Sequence, residues 1–149
     1  MNNPDQTEVL AARQHWMAIL ARLPAGDLDE LLQTSGDGHE FNLLRPAECG
    51  LCMVRGRISA RGDAFNLGEV SITRCVVQLD NTITGVAYIK GRDKKRAEMA
   101  ARLDALLQSG SLKVDSLQEY SAKLDNERKQ RTATVATTKV DFFTMARDR

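Results

Sequence analysis

The stretch EVSITRCVVQLDNTITGVAYIKGRDKKRA, residues 69–97, decides the fold. It opens with two runs rich in Val, Ile and Thr, 69–79 and 83–90, which read as strands. Asp80-Asn81-Thr82 between them reads as the tight connection of an antiparallel hairpin. Gly91-Arg92-Asp93 then breaks the second strand. Asp93 is a good N-cap, because its carboxylate accepts from the free amides of a first helical turn. The helix that follows is expected to run to about residue 108. It carries Met99, Leu103 and Leu106 on one face, with Ala100 and Leu107 beside them. Ser109-Gly110 supplies its stop. A hairpin leading into an amphipathic helix places the chain in the α+β class.

The first of these strands is irregular. Val70 and Ile72 share one parity, whereas Cys75, Val77 and Leu79 share the other. A regular strand cannot turn both sets to one side. Either the strand is apolar on both faces, or a bulge near Thr73-Arg74 resets the alternation.

Upstream, two more strands are expected at 41–44 and 51–58, giving an antiparallel sheet of about four strands. SARGDAFNLG, residues 59–68, links the second and third, and its Arg61-Gly62-Asp63 reads as turn chemistry. The N-terminus reads as a helix over about 7–23, with Val9, Ala12, Trp16, Ile19 and Leu23 on one face. Pro24 ends it, because proline disfavours helical geometry in the residue before it. A short helix over 28–33 follows, then the glycine-containing loop TSGDGHE, residues 34–40.

Downstream, a last helix starts near Asp115 and carries Leu117, Tyr120 and Leu124. DNERKQR, residues 125–131, is polar on every side and has little to bury. The end turns apolar again. A terminus frays unless it is tied down, so Val140, Phe142, Phe143 and Met145 need a docking surface. The expectation is one domain over 1–149, with helices at both ends packed on the sheet and about 125–149 serving to dock a partner.

Composition narrows the function. The 149 residues carry 21 Lys+Arg against 20 Asp+Glu, a formal net charge of +1. That balance argues against a nucleic-acid or anionic-membrane binder, which carries a basic excess. No apolar run approaches the roughly 20 residues that span a bilayer. The N-terminus lacks the regions of a signal peptide, so the cytoplasm is the expected location.

Three cysteines are an odd number for a disulfide framework. Cys49 and Cys52 have the spacing of a redox dithiol or half of a zinc site. A disulfide needs Cα atoms within roughly 7 Å, but three strand steps separate them by about 10 Å and turn them to opposite faces. Only a turn at Cys49-Gly50 brings them together. Zinc needs a second ligand pair, and Cys75, His15 and His39 do not form one. The plain expectation is that Cys52 faces the core with Val54 and Ile58.

No phosphate-binding Walker loop, dinucleotide fingerprint, HExxH or nucleophile elbow is present. Glu48, Glu69, Asp93 and Asp141 stand as isolated carboxylates, and no catalytic residue is assigned. The residues around Asp93 have two readings. Lys90, Arg92, Lys94, Lys95 and Arg96 at a helix start suit a phosphate. They equally suit a solvated helix end. Arg92 and Arg74 are the cations of first and second choice for a phosphate or partner contact, with Asp93 beside them.

Five segments occur in order: RQHWM (13–17), RPAECGLCMVRGR (45–57), FNLGEVSITR (65–74), GRDKKRA (91–97) with DAL (104–106), and TTKVDFFTM (137–145). Through them, nearly the whole chain resembles the G subunit family of the bacterial carbon–phosphorus lyase system for phosphonate use. The family pattern has Thr or Val where Cys49 and Cys52 stand, so a shared family function does not need these thiols.

The resemblance implies a non-catalytic but required subunit. It implies H, I and J subunits as core-complex partners, and an ATP-binding-cassette-like L protein. The implied reaction makes α-D-ribose 1-methylphosphonate 5-triphosphate from ATP, taken with Mg, and methylphosphonate, releasing adenine. Nucleosidase chemistry belongs to the I subunit and carbon–phosphorus cleavage to the iron–sulfur J subunit. The G chain binds no cofactor of its own. Direct supply of phosphate-binding cations and an independent thiol oxidoreductase remain as alternative functions.

Overall fold

A computed structural model describes residues 4–36, 38–57 and 62–138. The hairpin forms as expected. Strand β2, Phe65–Leu79, pairs antiparallel with β3, Ile83–Lys90, in unbroken register from Ile72↔Lys90 to Leu79↔Ile83. Asp80 and Asn81 take left-handed backbone, φ 46 and 56, which short polar side chains tolerate. Thr82 N donates to Leu79 O at 3.0 Å and closes the turn.

The sheet has three strands, in the order β1-β2-β3, not about four. The expected strands at 41–44 and 51–58 are one long strand, β1, Phe41–Gly56. It absorbs Arg45-Pro46-Ala47 through register shifts between Leu43/Arg45 and Arg45/Glu48. Pro46 is tolerated because β1 is an edge strand, and a bulge takes up residues that do not pair. The expected reset near Thr73-Arg74 does not occur in β2, which pairs with β3 without a break; the shift opposite Arg74 and Val76 is taken up by the extra residue of β1. Instead β2 is apolar on both faces. Thr73, Cys75, Val77 and Leu79 are buried on one side, while Val70, Ile72 and Val76 are half-buried on the other.

Helix α1 spans Pro4–Leu20 and α2 spans Ala25–Ser35. Helix α3, Lys94–Ser109, is capped by Asp93 and ends at Gly110, whose left-handed φ of 79 suits a residue without Cβ. It touches all three strands on one side and α1 and α2 on the other. That central position explains why Ala97, Met99, Ala100, Ala101, Leu103 and Ala105 are all buried. The helix lies so close to β3 that a Cβ on Gly85 would stand 2.1 Å from Ala101 O.

Only the second half of α1 reaches this core. Trp16, Ile19 and Leu20 are buried there, whereas Val9 and Ala12, placed on the same face by spacing, are exposed. A 3-10 turn, Val114–Leu117, inserts Leu117 into the core. Helix α4, Gln118–Ala136, has no buried residue. Tyr120 and Leu124 pack half-buried against the core, and the polar 125–131 continues as exposed helix. Among the described residues, no helix is long and apolar enough to cross a membrane.

Asp104 fastens these layers. Its fully buried carboxylate accepts from Arg13 Nη2 at 2.8 Å, Trp16 Nε1 at 2.8 Å, Val86 N at 2.9 Å and Gln108 Nε2 at 3.1 Å. Gln108 Nε2 also donates to Thr84 O at 2.9 Å. The outer edge of β3 is thus closed at Thr84 and Val86 by side chains of α1 and α3, which guards that part against strand pairing.

Candidate functional site

The sheet is covered on one face only. The helices lie against the side of Cys75, Val77 and Ile89, and no described element lies on the side of Ile72, Arg74 and Tyr88. Beyond Lys90 the third strand ends. Gly91, at φ 103, turns the chain away, held by Gly91 N to Ser71 O at 2.8 Å and Thr73 Oγ1 to Gly91 O at 2.7 Å. The remainder of β1 and β2 continues as a two-stranded arm. Leu51 and Leu67 on that arm are 61% and 65% exposed, and Met53 and Phe65 are exposed with them. Apolar side chains so open to water in one projecting element mark an interaction surface.

Arg74 lies on the uncovered face, in register with Glu48 on one side and Tyr88 on the other. Its Nε donates to Glu48 Oε1 at 2.8 Å, and Arg45 Nε stands 3.3 Å from the same oxygen. Glu48 is therefore not the isolated carboxylate that its sequence position suggested. Two guanidinium groups share it, and the trio keeps one net positive charge.

Arg92 is exposed and makes no ion pair among the described residues. Asp93 Oδ1 accepts from Arg96 N at 2.9 Å, so the cap is formed by the chain's own carboxylate. Arg96 turns inward. Its guanidinium donates to Ala21 O and Leu23 O, each at 2.7 Å, and caps the end of α1. Val140, Phe142, Phe143 and Met145 lie outside the described residues, as do Ile58 and Arg61.

The cysteines are placed apart. Cys49 pairs with Thr73 and Cys52 with Val70, positions of opposite parity, so the two thiols point to opposite faces of the arm. Cys52, paired with Val70, points to the uncovered face; it is exposed and does not face the core. Cys75 is buried, and burial pushes its thiol up from the ordinary value. Among the described residues, no three His, Cys, Asp or Glu side chains stand together as a metal site. A groove of about 230 Å³ between α1 and β3, lined by Met17, Ala21, Val86 and Tyr88 among others, holds no carboxylate, imidazole or amine.

Asp104 escaped the spacing arguments, although one local signal was available. It is a charged residue inside the apolar run 103–107, on the side that α3 buries.

The family model described as phosphonate metabolism protein PhnG matches residues 11–148. The chain is 41% identical over 141 residues to the alpha-D-ribose 1-methylphosphonate 5-triphosphate synthase subunit PhnG of Rhizobium meliloti (strain 1021), covering 93% of this chain and 90% of that protein. The two segments RQHWM and DAL, which carried part of the resemblance, meet in space through Arg13, Trp16 and Asp104. The chain belongs to the PhnG family of phosphonate metabolism proteins.

Proposed function

We propose that this chain is a non-catalytic, required subunit of an α-D-ribose 1-methylphosphonate 5-triphosphate synthase. The carrying observation is the 41% identity with the Rhizobium meliloti synthase subunit along nearly the full length of both chains. The site geometry supports it. Glu48 and Arg74 are engaged in bridging and Asp93 and Arg96 in capping, while exposed apolar surface gathers on the arm.

In this reading the chain assembles with the I, H and J subunits, and the L protein joins for synthase activity. ATP with Mg and the iron–sulfur cluster belong to the rest of the complex. The chain works in the cytoplasm, where the phosphonate and ATP meet. Val140, Phe142, Phe143 and Met145 anchor it on a partner, since buried aromatics dominate such contacts. Arg74, Arg92 and Asp93 sit at the contact surface.

The test is co-expression with the I, H and J subunits, followed by native mass spectrometry and a synthase assay with the L protein. A complex containing this chain, whose synthase activity is lost when the chain is omitted, is the expected result. Full activity without the chain overturns the proposal. An intact complex with Phe142→Ala and Phe143→Ala combined removes the anchor assignment alone.

A further inference from the structure

Two glycines on the arm have no explanation within this chain. Gly50 pairs with Ile72, and Gly68 pairs with Val54, so both lie on the uncovered face with Val70 between them. Neither has a left-handed φ, and a Cβ on either meets nothing within 4 Å. A β-branched residue would suit either strand position better. Glycine inside a strand weakens it and marks a place where another backbone comes close. The same face carries Arg45, Arg74 and Lys90 against Glu48 as its one acidic side chain among the described residues. Half-buried Val70 and Ile72, two glycines and an excess of cations coincide on this one surface, while Leu51 and Met53 stand on the opposite face of the arm.

We infer that the face centred on Gly50 and Gly68 receives a segment of another synthase subunit at close backbone approach. That segment is apolar where it crosses Val70 and Ile72, and acidic where it meets Arg45, Arg74 and Lys90. The inference rests on the assembly reading above and names the surface that assembly uses. The glycines keep the face flat, so that the incoming backbone reaches the sheet. The cations orient it, since complementary charge sets register and encounter rate.

The test uses Gly50→Leu and Gly68→Leu, each in the full-length chain co-expressed with the remaining synthase subunits. Both variants are expected to keep the circular dichroism of the wild-type chain, because the added side chain enters open space. Recovery of each in the complex is expected to fall at least tenfold. Wild-type recovery of the folded variants overturns the inference and leaves the assembly reading standing. Failure of the wild-type chain to assemble overturns the assembly reading itself.

Where a variant does not fold, hydrogen exchange on the wild-type chain decides. Amides of residues 48–54 and 66–72 are expected to exchange at least tenfold more slowly in the complex than in the chain alone. Unchanged exchange overturns the inference. A homodimer that Gly68→Leu dissociates, with synthase assembly intact, overturns it also, since the occupant is then a second copy.

Discussion

Trp16 Nε1 donates to Asp104 Oδ1 at 2.8 Å, joining residues 88 apart in the chain. Arg13 reaches the other carboxylate oxygen, and Val86 N donates to it from β3. One carboxylate therefore holds α1, α3 and the edge of the sheet together. Removing one partner of a buried pair costs about 3–5 kcal/mol, because it strands the other groups without a partner. Asp104→Ala is expected to lower unfolding stability by that amount. Trp16→Phe, which removes a single donor, is expected to cost about 1–3 kcal/mol. Urea titrations of both variants check this. Losses below about 1 kcal/mol would show that the cluster is dispensable.

Gly85 makes the second prediction. A Cβ there would meet Ala101 O at 2.1 Å and Ala105 Cβ at 2.8 Å, so α3 must move away from β3 to admit it. Gly85→Ala is therefore expected to cost about 1–3 kcal/mol, as overpacking of this kind does. Gly26→Ala is the contrast, since a Cβ at Gly26 meets nothing within 4 Å and sits inside α2. It is expected to be neutral or to stabilise by about 0.4–1 kcal/mol. Thermal melts of the two variants in one buffer separate the effects.

The thiols give a chemical prediction. Cys49 and Cys52 are exposed on opposite faces of the arm, while Cys75 is buried with its thiol pushed up first by desolvation and then by Glu98. Native protein is expected to lose two thiols quickly to iodoacetamide and the third only on unfolding. Mild oxidant is expected to leave Cys49 and Cys52 unbridged. Peptide mapping reads both results, and an intramolecular Cys49–Cys52 disulfide in folded protein would contradict the strand geometry.

Asp80 gives the pH dependence. A hydrogen bond with His39 at 2.9 Å, and then the bond from Glu40 N at 3.0 Å, hold its carboxyl below the ordinary value of 3.8. Because the folded value is the lower one, the ionised group favours the folded state. This contribution is fully present above the ordinary value and is lost as pH falls below it through the folded value. Asp80→Asn is therefore expected to be less stable than wild type at pH 6, with the gap closing between pH about 4 and the acid limit. Urea midpoints across that range check the sign. A gap that widens on acidification refutes it.

Local chemistry was legible in residues 69–97. The hairpin turn at Asp80-Asn81, the cap at Asp93 and the stop at Gly110 each depend on a few adjacent residues, so spacing and residue type sufficed. The same chain order carried the family resemblance, which the comparisons then established. Strand number was not legible, because Pro46 interrupts alternation whether a strand ends or bulges, and only its place on the sheet edge permits the bulge.

Burial of the arm and of α1 was hidden for a different reason. Periodicity shows which residues share a face but not whether another element covers that face. Cys52, Val9 and Leu51 all sit in apolar patterns and all lie open: Cys52 is on the uncovered face, Leu51 is on the arm beyond the third strand, and Val9 is on the half of α1 that does not reach the core. Asp104 was hidden because its partners come from α1 and β3, and nothing local to α3 brings them there. The sequence by itself determined the α+β class, the hairpin turn, the cap and stop of α3, and the family. The tertiary structure alone decided which apolar faces meet and which stay exposed, since burial depends on contacts between segments far apart in the chain.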